Sequence, residues 1–158
     1  MAKIKNLEEN IELNLCLIDS SNLDYSPQRS DYENWIPFFL KLTLPNRCSI
    51  IGEDIKATVT LYEIKDFIQG LERVLEYLDA QENYIYEFNS SESFFGIRLE
   101  IIPEDNIVEI ELWINVGNQS QGEICGFDEG VRFVSNKKEI SKFLVGLKQE
   151  LYNIKDLI

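Results

Sequence analysis

The stretch Thr60-Leu61-Tyr62-Glu63-Ile64-Lys65-Asp66-Phe67-Ile68-Gln69-Gly70-Leu71-Glu72-Arg73-Val74-Leu75-Glu76-Tyr77-Leu78 is where the period of the chain changes. Ile64, Phe67, Ile68, Leu71, Val74, Leu75 and Leu78 recur at spacings of three and four, one face of a helix. Thr60 and Glu63 have the spacing of a capping box: the hydroxyl accepts the Glu63 amide and the carboxylate reaches back. Gly70 weakens the helix by about 1 kcal/mol relative to alanine. Burial of the apolar stripe, at roughly 1.5–3 kcal/mol per side chain, outweighs it.

Upstream, the pattern alternates. Ile11, Leu13, Leu15 and Leu17 share one face of a first strand. The polar stretch from Asp19 to Glu33 has no apolar period and reads as an exposed loop. A second strand runs from Trp35 to Leu44, with Phe38, Leu40, Leu42 and Leu44 facing the core. Pro37 places its start at an edge or entry position, because proline donates nothing to a ladder. Pro45-Asn46 turns the chain into a return strand from Arg47 to Thr60, interrupted at Gly52-Glu53-Asp54.

Downstream, Tyr84 to Phe88 is a short strand. Phe95, Ile97, Leu99 and Ile101 alternate, and after the turn Pro103-Glu104-Asp105-Asn106 so do Val108, Ile110, Leu112 and Ile114. A loop from Gly117 to Gly122 precedes a strand-like segment from Glu123 to Val134, broken by Gly126 and Gly130. Asn136 caps a closing helix whose stripe is Ile140, Phe143, Leu144, Leu147, Leu151 and Ile154. Clean alternation argues for antiparallel pairing with one buried face. The expected fold is α+β: an antiparallel sheet with two amphipathic helices packed on one face, formed by residues 1–158 as one domain.

The chemistry is told mainly by what is missing. The chain has no histidine, and carries 28 acidic residues against 15 basic ones for a net charge of -13. It therefore lacks the commonest general base, metal ligand and pH switch. Cys16, Cys48 and Cys125 are odd in number and scattered, which fits reduced thiols acting as small hydrophobes. The adjacent acid pairs match no calcium loop, and no glycine-rich phosphate cradle occurs. No cofactor, no metal and no catalytic residue is predicted. The charge sign disfavours nucleic acid, since a phosphate backbone calls for clustered Lys and Arg. No apolar run approaches the ~20 residues of a membrane span, and the charged start Met1 to Glu9 has no signal-like apolar region. Residence in a reducing cytoplasm is expected.

Three aromatic residues fall where the pattern says solvent. Trp113 shares the polar strand face of Glu109 and Glu111. Trp35 follows Asp31-Tyr32-Glu33, and Tyr25 lies in the acidic loop. Trp and Tyr anchor interfaces, and acids surround all three. The expected partner-binding residues are Asp31, Glu33 and Trp35 at the loop-to-strand entry, and Glu109, Glu111 and Trp113 on the strand. Whether these two groups share a patch depends on a pairing order that the sequence does not reveal.

The order of elements resembles a known family. A tryptophan opens the second strand, and Thr58-Val59-Thr60-Leu61-Tyr62-Glu63-Ile64 runs directly into a helix with Phe67 and Leu71. Ser91-Glu92-Ser93-Phe94-Phe95-Gly96-Ile97-Arg98-Leu99 and Asn106-Ile107-Val108-Glu109-Ile110 follow. A final strand leads through Ser135 into a helix with Phe143-Leu144 and Leu147. From residue 11 to 152 this layout resembles the WapI-like immunity proteins, although a glycine usual after the hairpin turn near Asn106 is absent. The resemblance implies a cytoplasmic protein that binds one cognate polymorphic-toxin domain and blocks it. Such toxins are often nucleases with basic grooves, which an acidic inhibitor can occupy. Two further readings compete: a small acidic regulatory or scaffolding domain without a toxin, and an enzyme working with carboxylates alone. The oligomeric state is open on any of them.

Overall fold

The computed structural model describes residues 1–19, 23, 25–51, 57–115 and 128–154. The chain order is β1 (Ala2–Lys5), β2 (Glu12–Leu17), a 3-10 turn (Asp31–Glu33), β3 (Trp35–Thr43), β4 (Cys48–Ile51), β5 (Thr58–Thr60) and α1 (Leu61–Ala80). It continues with β6 (Ile85–Asn89), β7 (Phe95–Ile102), β8 (Ile107–Asn115), β9 (Asp128–Ser135) and α2 (Lys137–Asn153). The interruption expected at 52–54, the loop at 117–122 and Cys125 lie outside the described residues.

The α+β class and the two amphipathic helices stand. The strands divide between two antiparallel sheets. The first runs β1-β2-β3-β4, and β5 pairs with the start of β3. The second is the meander β6-β7-β8-β9. Register follows the hydrophobic alternation, because a slip by one residue would turn every core side chain to solvent. In the first sheet Ala2, Leu15, Leu40 and Ile51 form one buried row. In the second, Tyr86, Leu99, Ile110 and Phe133 do the same.

Each helix covers the sheet that it did not follow. α1 comes after the first sheet and packs on β6 and β7; α2 comes after the second and packs on β1 and β2. Phe67 of α1 stacks on Phe88 at 4.9 Å and meets Phe143 of α2 edge-on at 5.9 Å. Phe38 of the first sheet touches Phe94 and Phe95 beside the second, at centroid distances of 5.8 and 5.4 Å. Lys148 of α2 pairs with Glu72 of α1 at 2.6 Å. The sheets also meet at their edges, where the Leu7 amide donates to the Val134 carbonyl at 3.0 Å.

The helix starts are those expected. Thr60 Oγ1 accepts from the Glu63 amide at 3.1 Å, and Glu63 Oε2 accepts from the Thr60 amide at 2.7 Å. Asn136 accepts from the Glu139 amide at 3.0 Å. Two departures have local causes. Ala2–Lys5 is a strand rather than a charged lead-in, because α2 covers Ala2 and Ile4. The expected loop through Glu33 contains the 3-10 turn and is tied down by buried Asn34, whose Oδ1 accepts from the Ser26 amide at 2.9 Å.

Candidate partner-binding surface

Three adjacent cross-strand rows fill the middle of the outer face of the second sheet. Glu87, Arg98, Glu111 and Arg132 stand opposite one another on β6 to β9. Next to them run Ile85, Glu100, Glu109 and Val134 on one side, and Asn89, Gly96, Trp113 and Gly130 on the other. The Glu109, Glu111 and Trp113 set is therefore brought together on one strand face, as alternation required.

The acids on this face are not free charges. Glu111 Oε1 accepts from Arg132 Nη2 at 2.7 Å and from its Nε at 3.1 Å. Glu109 lies 3.5 Å from Arg132 Nε. Arg98 Nη1 pairs with Glu100 at 2.9 Å and lies 3.9 Å from Glu111, and its Nε is 3.4 Å from Glu87. Hydrogen bonding to Glu100 pushes the Arg98 guanidinium further into its charged form. Opposite charges directly across strands stabilise the pairing. Sequence reading missed these counter-ions, because Arg98 and Arg132 become neighbours of Glu111 only once the register is known.

Trp113 sits between two glycines, Gly96 on β7 and Gly130 on β9. A Cβ at Gly130 would fall 2.4 Å from the indole, so the ring rests on bare backbone there. The residue is 46% exposed. Beside it opens a hollow of about 510 Å³, lined by Asn89, Ser90, Ser93, Phe95, Gly96, Trp113, Asn115 and Asp128. A smaller one of about 220 Å³ lies between Trp113, Glu111, Gly130, Val131 and Arg132.

Asp31, Glu33 and Trp35 gather at the other sheet, around the entry to β3. Asp31 Oδ2 accepts from Lys65 Nζ at 2.9 Å. Glu33 Oε2 accepts from the Ser30 amide at 3.1 Å and hydroxyl at 2.8 Å, which holds its carboxyl below the usual range. Trp35 is half-buried and pairs with Thr60. Both acids are thus engaged in local structure. The exposed aromatics here are Tyr32 and Tyr62, stacked at 4.1 Å. Sequence reading overlooked this pair because it joins the 3-10 turn to the first turn of α1. Tyr25 packs partly buried against the core.

Among the described residues, no group of three or more Cys, Asp or Glu side chains gathers where a metal ion could be held. No described helix is long and apolar enough to cross a membrane.

A sequence model of the Immunity protein WapI-like family matches residues 3–155. No curated protein matches the chain at a significant level. Among solved structures, WHY1 from Arabidopsis thaliana aligns with 92% of this chain and 85% of its own at 9% identity and a TM-score of 0.44. The plant transcriptional regulator PBF-2 aligns with 92% of this chain and 76% of its own at 10% identity and a TM-score of 0.40. At these TM-scores neither likeness bears on fold or function.

Proposed function

The chain belongs to the WapI-like immunity protein family, and from that premise we propose that it binds and neutralises one cognate polymorphic-toxin domain in the cytoplasm without catalysing a reaction. The family match over residues 3–155 carries this reading. The net charge of -13 supports a basic toxin, of nuclease type, because opposite charge steers association. Residues 1–158 act as one domain in this role. The proposed contact surface is the outer face of the second sheet, with Trp113 as anchor and Glu109 and Glu111 beside it. Asp31, Glu33 and Trp35 form a second, smaller contact region.

The ion pairs on the sheet face decide which variants are informative. A lysine at position 111 would face Arg98 and Arg132 and disturb the sheet itself. Glu109→Gln with Glu111→Gln removes charge and keeps shape. Trp113→Ala is expected to weaken toxin binding by about 2 kcal/mol or more if the indole is a hot spot. The measurement is calorimetric titration against each toxin domain found among the open reading frames neighbouring this gene, with circular dichroism as the folding control. Unchanged affinity in the triple variant removes this face from the interface and leaves the region around Trp35. Absence of any complex with these toxins defeats the immunity reading.

A further inference from the structure

We propose that the hollow beside Trp113 receives an arginine side chain presented by the partner, an inference that rests on the toxin-binding reading and sharpens it. On this face Glu111 and Glu109 are already engaged by Arg132, and Glu100 and Glu87 by Arg98. The face therefore has little unspent negative charge in the rows first expected to bind. Asp128 differs. It lies on the same face, opposite Asn115, and is exposed. Among the described residues its carboxylate makes no hydrogen bond or ion pair, and the Asn89 amide and Ser93 hydroxyl make none either. All three line the hollow together with the indole.

Gly96 makes room for the Asn89 side chain at the edge of that site. A Cβ there would fall 2.4 Å from Asn89 Oδ1, so the amide lies directly over bare β7 backbone. No Lys or Arg is among the described lining residues, which disfavours phosphate or a carboxylate as occupant. A carboxylate, a neutral amide and an indole together suit a cation that is also planar. A guanidinium can stack on the aromatic ring while its N–H donors reach Asp128 on the neighbouring strand; a lysine ammonium is a point charge on a flexible stem and can do one or the other.

The test titrates the whole protein with N-acetyl-arginine amide, with its lysine and citrulline counterparts, and with N-acetylglucosamine. The readout is the Trp113 indole N–H resonance, assigned through Trp113→Phe. The arginine amide is expected to shift it saturably in the millimolar range, the lysine amide to bind about threefold or more weaker, and citrulline not at all. Asp128→Asn is expected to weaken arginine binding roughly five- to tenfold, because the charge-assisted bond is lost. The proposal is overturned by no saturable shift, by an equal response to citrulline, by full binding in Asp128→Asn, or by saturation with N-acetylglucosamine in place of arginine. A toxin domain that binds wild type and Asp128→Asn equally well defeats this proposal and leaves the immunity reading standing. If no toxin binds, the immunity reading fails, and the arginine titration still decides the hollow.

Discussion

Gly70 occupies the middle of α1, where composition alone marks it as a weak point that alanine would repair by about 1 kcal/mol. The structure reverses that expectation. A Cβ at Gly70 would lie 2.1 Å from Cζ of Tyr86. The Tyr86 ring has nowhere to go: it is buried, it stacks parallel to Phe67 with centroids 6.3 Å apart, and its hydroxyl donates to Asp66 Oδ2 at 3.2 Å. Gly70→Ala should therefore destabilise the fold by about 1–3 kcal/mol, the usual range for overpacking. Urea unfolding of the pair of proteins gives the sign directly, and a gain in stability would mean that Tyr86 moves freely. A second prediction concerns the thiols. Cys16 is half-buried, with Sγ 3.5 Å from Glu150 Oε2, and burial first, then the Glu150 charge, push its thiol up. Less of it is thiolate at pH 8 than an ordinary cysteine shows, so iodoacetamide should label exposed Cys48 well before Cys16. Raising the pH through the Cys16 range should narrow the gap, as followed by peptide mass spectrometry. Equal rates at pH 8 would place Cys16 in solvent.

The elements show where pattern sufficed and where it stopped. The change from period two to period 3.6 at Thr60 locates α1, because burial of one stripe decides a helix and its face together. Leu71 is the centre of that stripe and fully buried. Leu71→Ala should cost about 2–5 kcal/mol through the cavity it leaves, checked by the shift in denaturation midpoint. The missing glycine near Asn106 is explained by Asn106 itself, which adopts φ 53° in the turn, a conformation that asparagine tolerates. The two-sheet division was not legible. Alternation fixes which side of a strand is apolar, and it is silent on which strand lies alongside. The same gap hid part of the candidate surface: Trp113, Glu109 and Glu111 share a face by parity alone, but Arg98, Arg132, Gly96 and Gly130 enter that face only through pairing. β1 escaped for another reason. Ala2-Lys3-Ile4-Lys5 offers only Ala2 and Ile4 to the core, and its cover comes from α2, far away in the chain.

Charge acts at the scale of the whole molecule. With -13 overall, the long-range field favours a basic partner, and salt should screen it over a Debye length of about 8 Å at physiological strength. The arginines of the second sheet temper that field locally. Arg132→Gln releases Glu111 and Glu109 from their shared counter-ion. If this face meets a basic toxin, the variant should associate severalfold faster at low salt, with the advantage vanishing as salt rises. Stopped-flow measurement at two ionic strengths reads this, and an unchanged rate would indicate that the toxin approaches elsewhere. The exchange of helices between sheets has a consequence in time. The Lys5 amide donates to Glu139 Oε2 at 3.1 Å, across 134 residues. A Cβ on Gly146 of α2 would come within 2.9 Å of the Ala2 Cα, so that helix and β1 approach almost to backbone contact. On a ribosome adding roughly 5–20 residues per second, the 134 residues between these partners take about 7–27 s to appear. The first sheet is complete at Thr60 and α2 begins at Lys137, so for about 4–15 s of that interval Ala2 and Ile4 of β1 lack the helix that covers them. During its own synthesis the nascent chain presents the kind of apolar surface on which holding chaperones act, and it sheds that surface only when α2 docks.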